Sequence, residues 1–405
     1  MSGRVLQLGA ASSRRGAALV LALVLGALLA GCGGGSSSSL AANQMRVTVE
    51  RDPNLIKAGR EVFAPDMPYV SVVVCDGSDH CVTVPYVQLD TGSVGLRLRA
   101  KTLAGLDLQP VLSASGKQVD ACSNFAQGYI WGAVEQANVQ LGGEPAMQLP
   151  IQVFGSGSPA PAVPALCTTL GNNIGSLLAV GGNGILGVAG LLTGGTTDFT
   201  CDGSSCNIAT SLDPTLLIEN PVTFLANGDD NGVILTLPAI PASGAASAQG
   251  ELTFGLDSRS DNQTAGFHAF GTDAYGNLSM SAQGQTYTQT AIDSGSSFLY
   301  LPFDMPYDSS SQYYTPSTLQ IVPITLSNEP GTSPDVSVSS SLEVGNIISL
   351  VDTGNDAFDD IGQYAPSSST ATLSLPYFFG RSVAYGIPGA TSGLGPGPVV
   401  GVLNP

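Results

Sequence analysis

Two short segments of this chain carry one pattern, and that pattern limits the fold more than any bulk property. VQLDTGSVGLRL (87–98) and TAIDSGSSFLYLP (290–302) each run apolar, break at Asp-Thr/Ser-Gly-Ser, and turn apolar again. Asp and Gly are poor strand residues, so either tetrapeptide alone reads as a turn. Each copy is followed far downstream by two apolar residues and a glycine. Ile185-Leu186-Gly187 ends 97 residues after Asp90, and Phe378-Phe379-Gly380 ends 87 residues after Asp293. Two similar spacings imply a duplicated unit, with one carboxylate held at a strand end in each half.

The sequence around these loops reads as β. Short alternating apolar runs are separated by Gly, Ser, Thr and Pro, the pattern of strands and turns. Once the N-terminal segment is set aside, about 370 residues remain, enough for two domains of ordinary size. We place the N-terminal β lobe at 46–227 and the C-terminal β lobe at 228–405. The chain has 31 acidic and 13 basic residues, a net charge of −18. Nucleic-acid binding is excluded as a function class, because phosphate contacts need a basic face. Few basic groups also leave little positive self-repulsion once carboxylates protonate, so the composition implies acid tolerance.

Arg4, Arg14 and Arg15 precede an apolar run from Ala17 to Ala30. A run this short, with a basic front and small residues at its end, reads as a secretory signal rather than a membrane span. Its Leu29-Ala30-Gly31-Cys32 ending resembles the bacterial lipobox. That resemblance implies a signal over 1–31, lipid on Cys32 and a Gly/Ser-rich tether over 32–45. It also implies a place in the cell envelope, on the outer membrane and facing the periplasm or the outside. With Cys32 lipidated, six of the seven cysteines remain, an even number in an exported protein. Cys75 and Cys81 bracket one short turn and Cys201 and Cys206 another, leaving Cys122 to pair with Cys167. Metal binding is the rival reading of these cysteines, and an oxidising compartment favours disulfides.

The paired loops, taken with the two apolar-apolar-Gly runs and two further stretches, resemble the bilobal, pepsin-like aspartic proteases, in which such a run braces each loop; this implies Gly187 and Gly380 beside their loops. FAQGYIWGAVEQANVQLGG (125–143) is similar to that family's flap hairpin, and GELTFG (250–255) to a strand of its second lobe. The resemblance implies a mostly β fold of two pseudo-twofold-related lobes with a cleft between them. It implies a lipid-anchored endopeptidase that cleaves peptides or unfolded proteins, with Asp90 and Asp293 as its catalytic pair. Thr91 and Ser294 would tie the two loops together, and Ser93 and Ser296 would hold the outer carboxylate oxygens. Gly92 and Gly295 permit a close approach that a Cβ would obstruct. Phe125 falls where the family has its flap tyrosine, with Tyr129 nearby and Arg97 in place of the tryptophan that this tyrosine contacts. Trp131, the one tryptophan, reads either as a cleft-lining residue or as a core aromatic. The FFGR and GPGPVV stretches near the C-terminus also resemble an uncharacterised family of bacterial lipoproteins, which implies no function.

The chemistry suits these residues. Hydrolysing an amide without a metal or a covalent intermediate takes a base to activate water and an acid to protonate the leaving side. Two carboxylates close together cannot both ionise easily, so one proton shared between them serves both needs. No cofactor or metal is expected. Two lobes in one chain complete the pair, which implies a monomer. A reading from a different class is an envelope lipoprotein that keeps the fold and binds a peptide or glycan without cleaving it.

Other landmarks carry less. NGDDNG (227–232) begins like a calcium loop, but its twelfth position is Pro238 rather than Glu, so it reads as a turn. Two histidines, His80 and His268, leave no room for a multi-histidine metal site. Asp352-Thr353-Gly354-Asn355 spells a third loop, but polar residues follow it and Asn355 stands where a hydroxyl is expected. We expect Asp352 to lie away from the pair, an early strand over Met45–Glu50, and no basic pro-segment covering the cleft.

Overall fold

The computed structural model describes residues 40–404 apart from 53–63, 79, 176–181, 204, 227 and 333–335. The expected signal over 1–31, Cys32 and the tether as far as residue 39 lie outside the described residues. Among the described residues, no helix is long and apolar enough to cross a membrane. The chain is mostly β; among the described residues it forms one sheet of seventeen strands, one of seven and one of two, with only short helical turns.

Side-chain alternation explains the strands. In Met67–Cys75, Val70, Val72 and Val74 are buried while Ser71 faces solvent. β-Branched residues at every second position suit a pleated, half-buried surface. This strand pairs antiparallel with Cys81–Asp90, with Cys75 opposite Cys81 at the turn. Asp90 is the last residue of its strand. Gly184–Val188 then runs parallel to Cys81–Asp90, with Gly187 opposite Asp90, and antiparallel to Val94–Arg99. Every residue of Gly184–Val188 is buried, so the Asp90 loop is flanked by a strand with no solvent-facing residue.

The second half repeats this arrangement. Leu278–Ala282 pairs antiparallel with Gln285–Asp293, which ends in Asp293. Thr370–Ser374 runs parallel to that strand, with Ser374 opposite Asp293, and meets Leu299–Leu301 on its other side. Gly380, which the resemblance implies beside this loop, does not take the place that Gly187 holds beside Asp90. Gly380 lies beyond the buried 3-10 turn Leu375–Phe378, at φ +75°, where its N–H bonds to the Leu237 carbonyl. Its positive φ explains the glycine there, whereas the residue beside the second loop is Ser374.

Strands from both halves share the larger sheet. Gln44–Glu50, the early strand expected from the sequence, pairs with Met67–Cys75 on one side and Ala248–Phe254 on the other. From there the sheet continues antiparallel through Gly232–Thr236, Ser382–Gly386 and Val399–Leu403 to His268–Gly271. One core runs from Val47 and Leu89 through Leu252 to Leu373, all fully buried. Each such side chain contributes about 1.5–3 kcal/mol relative to exposure. The two Asp loops therefore stand on one compact unit.

The hairpin of Gln118–Phe125 and Gly128–Leu141 turns at Ala126-Gln127, with Phe125 opposite Gly128. The disulfides are Cys75–Cys81, Cys122–Cys167 and Cys201–Cys206, the three pairs expected. Asp229, in the calcium-like segment, is buried in an ion pair with Arg259. It also accepts from the Ser258 hydroxyl, which leaves that stretch as a turn.

Candidate active site

Asp90 and Asp293 arrive from different strands at one place. Both line a cavity of about 570 Å³, together with Arg97, Phe125, Leu191 and Tyr275. A Cβ built on Gly92 would sit 2.6 Å from Asp293 Oδ1, and one on Gly295 would sit 2.4 Å from Asp90 Oδ1. Each glycine thus makes room for the opposite carboxylate. Both Oδ1 atoms lie within 3.2 Å of the point where the Gly295 Cβ would be.

The two loops satisfy their carboxylates in the same way. The Gly92 N–H donates to Asp90 Oδ1 at 2.8 Å, and the Gly295 N–H to Asp293 Oδ1 at 2.7 Å. Ser93 Oγ donates to Asp90 Oδ2, and Ser296 Oγ to Asp293 Oδ2 at 2.7 Å. The inner oxygens face each other, while the outer ones are fixed by hydroxyls.

Thr91 and Ser294 join the loops through buried hydrogen bonds. The Thr91 N–H donates to Ser294 Oγ at 3.1 Å, and the Ser294 N–H to Thr91 Oγ1 at 2.9 Å. Ser294 Oγ donates onward to the Leu89 carbonyl at 2.9 Å. The other half departs from this symmetry. Thr91 Oγ1 donates to the Tyr385 hydroxyl at 3.1 Å, and that hydroxyl donates to the Ile292 carbonyl at 2.8 Å. Burial pushes the Tyr385 hydroxyl well above the usual tyrosine range, against the lowering effect of its bond to Thr91. Gln88 adds a further tie, its Nε2 donating to the Gly295 carbonyl at 2.8 Å.

Sequence reasoning missed both Tyr385 and Gln88. Gln88 had a signal, since it sits two residues before Asp90 and so on the same strand face. Tyr385 had none, lying in an ordinary strand with no motif around it.

Burial raises the Asp293 carboxyl to about 7, and the neighbouring Asp90 charge acts in the same direction. The Ser296 hydroxyl and Gly295 N–H pull the other way. An acid that keeps its proton to near neutrality thus stands beside a second carboxylate.

Of the three flap candidates, Phe125 lines this cavity, and its ring centroid lies 5.3 Å from the Arg97 guanidinium. Tyr129 and Trp131 do not line it. They pack with Phe199 around the Cys122–Cys167 disulfide, and the Trp131 indole N–H bonds to the Pro161 carbonyl at 2.8 Å. Strand register explains the split: Trp131 lies opposite Cys122, whereas Phe125 sits at the hairpin tip. The core-aromatic reading therefore describes Trp131. Asp352 caps the short helix Ile347–Val351, exposed and outside the cavity lining.

Among the described residues, one cluster has the spacing of metal ligands, Asp120 with Cys201 and Cys206. Both sulfurs are joined in a disulfide, leaving a single carboxylate as donor.

The chain belongs to a family of proteins of unknown function (DUF3443), whose model matches residues 39–401. No curated protein matches it.

Proposed function

We propose that this chain is an aspartic-type endopeptidase with a two-lobed, pepsin-like fold, carried on the bacterial envelope by lipid at Cys32. The observation that carries the reading is the facing pair, in which each loop's glycine leaves space for the other loop's carboxylate. Two carboxylates this close hold one proton between them. In the reaction, the ionised member takes a proton from water, and the water oxygen attacks the peptide carbonyl. The protonated member donates to the carbonyl oxygen. The tetrahedral diol then collapses: the proton taken from water passes to the departing nitrogen as the C–N bond breaks, and one diol hydroxyl returns its proton to the other member, leaving a carboxylic acid, an amine and the one-proton pair. Backbone N–H groups and serine hydroxyls hold the outer edges of both carboxylates, so little reorganisation is needed during the step.

The hairpin tip and Tyr275 both line the cavity, alongside the two aspartates. Activity belongs on the acid side. It is lost as pH rises past about 7, where Asp293 gives up its proton. Incubating an unfolded protein with the full chain at acidic pH tests the proposal. Fragments are expected from the unaltered chain and none from Asp90→Asn. Binding of the polypeptide without cleavage would instead assign the cavity to a non-catalytic envelope protein.

A further inference from the structure

Val94–Arg99 and Glu144–Phe154 run parallel and end side by side, with Arg99 opposite Phe154. Beyond them the chain parts, into the 3-10 turn Ala100–Leu103 on one side and the loop that starts at Gly155 on the other. The crevice there holds a cavity of about 460 Å³, inside the range of roughly 300–1,000 Å³ usual for small-molecule sites. Its described lining shares no residue with the cavity that holds the two aspartates.

The wall is cationic in an acidic chain. Acidic residues outnumber basic ones 31 to 13, yet among the described lining residues Arg99 and Lys101 are charged and no carboxylate is present. Arg99 is held in place. Its Nε donates to the Gly182 carbonyl at 3.2 Å and Nη1 to the Gly175 carbonyl at 3.0 Å, and its guanidinium lies 5.2 Å from the Phe154 ring centroid. The acidic group that acts on it, Asp52, is buried, accepts from the Gly182 N–H and lies outside the lining. Lys101 is exposed, and among the described residues no carboxylate lies within ion-pair distance of it. A fixed guanidinium and a flexible ammonium on one wall suit an oxyanion, which the first orients and the second closes on.

The rest of the wall is neutral. Ser156 and Asn173 bring a hydroxyl and an amide, and Trp131 brings its indole. The indole N–H is already bonded to the Pro161 carbonyl, so Trp131 offers the cavity apolar surface. An aromatic surface beside hydroxyl and amide groups takes a sugar ring, whose C–H face packs on the aromatic while its hydroxyls bond to the polar groups.

We propose that this crevice binds an anionic monosaccharide, a sugar phosphate or a sugar acid, at a site separate from the paired aspartates. The oxyanion lies between Arg99 and Lys101, and the ring packs towards Trp131. The site does not depend on the peptidase reading.

Trp131 is the only tryptophan in the chain, so intrinsic fluorescence reports from this wall. Titrating the full chain with glucose 6-phosphate, glucuronate and glucose, with calorimetry as a second readout, tests the site. At least one of the two anionic sugars should change the emission saturably with Kd below about 1 mM, and which one does so separates phosphate from carboxylate. Glucose should give no saturable signal over the same range. Lys101→Glu reverses the charge of an exposed side chain without disturbing the core, and should weaken binding of the anionic sugar at least about tenfold. Glucose binding as tightly as the anionic sugars, or unchanged affinity in Lys101→Glu, overturns the proposal. So does the absence of both heat and emission change with either anionic sugar.

Discussion

Replacing Asp293 with Asn should stabilise the protein at neutral pH and leave it nearly unchanged in acid. The folded chain raises the Asp293 carboxyl from its ordinary 3.8 to about 7. A group whose folded pKa is raised contributes stability that is complete below the unfolded value and is lost as pH rises through the folded one. The gap of about three units corresponds to a ceiling of about 4 kcal/mol. Asp293 is only half-buried by surface area and shares its proton with Asp90, so we expect about half of that, roughly 2 kcal/mol. Asn cannot ionise, and its amide can still accept from the Gly295 N–H and donate towards Asp90. For roughly 370 residues the unfolding entropy is about 0.8 kcal/mol/K, so 2 kcal/mol raises Tm by about 3 °C. Scanning fluorimetry of both proteins from pH 3 to 8.5 reads this directly. The curves should meet below about pH 4, separate progressively between the unfolded value of 3.8 and the folded value of about 7, and run parallel above it, with Asp293→Asn the more stable. A variant less stable than the parent at pH 8, or a pH-independent offset, would refute the argument.

Other perturbations act on named contacts. Tyr385→Phe removes the hydroxyl between Thr91 and the Ile292 carbonyl. It should cost about 1–3 kcal/mol, read as a lower urea midpoint at unchanged slope. Gly92→Ala places a methyl 2.6 Å from Asp293 Oδ1. It should destabilise by about 1–3 kcal/mol and abolish fragment production at acidic pH, while Gly77→Ala, exposed and with open space around it, should not affect cleavage. Replacing Cys122 and Cys167 by serine opens a loop spanning 45 residues. The chain-entropy model gives a loss of about 4 kcal/mol, measurable by denaturant titration. Cys32→Ser should move the protein from the membrane fraction to a soluble exported one, and retention on membranes would remove the lipid anchor from the account.

The sequence showed what local pattern and duplication can show. Asp90 and Asp293 were visible because an unusual break recurs between apolar runs, and the flanking strands formed as alternation requires. Cys75–Cys81 and Cys201–Cys206 followed from adjacency, with Cys122–Cys167 left by count. Long-range register was not legible. The strand bracing Asp293 ends in Ser374, and nothing in Thr372-Leu373-Ser374 distinguishes it from any other β run. The glycine at position 380, required by its own backbone angle, imitated the missing signal. The hairpin shows the same limit. Without knowing that the turn falls at Ala126-Gln127, Phe125 and Trp131 are equally good cleft residues, yet only one faces the aspartates. Tyr385 joins the loops through a hydroxyl that any buried tyrosine offers, so only the assembled sheet reveals it.

The central claim is that the facing carboxylates form a one-proton unit complementary to a tetrahedral species. Calorimetric binding of a statine-type peptide, whose hydroxyl mimics that species, tests it most directly, because it needs no knowledge of the natural substrate. At about pH 5 the full chain should bind such a peptide, and Asp90→Asn and Asp293→Asn should each weaken binding at least about 100-fold. Equal affinity across the three proteins, or no binding by the unaltered chain, would contradict the account.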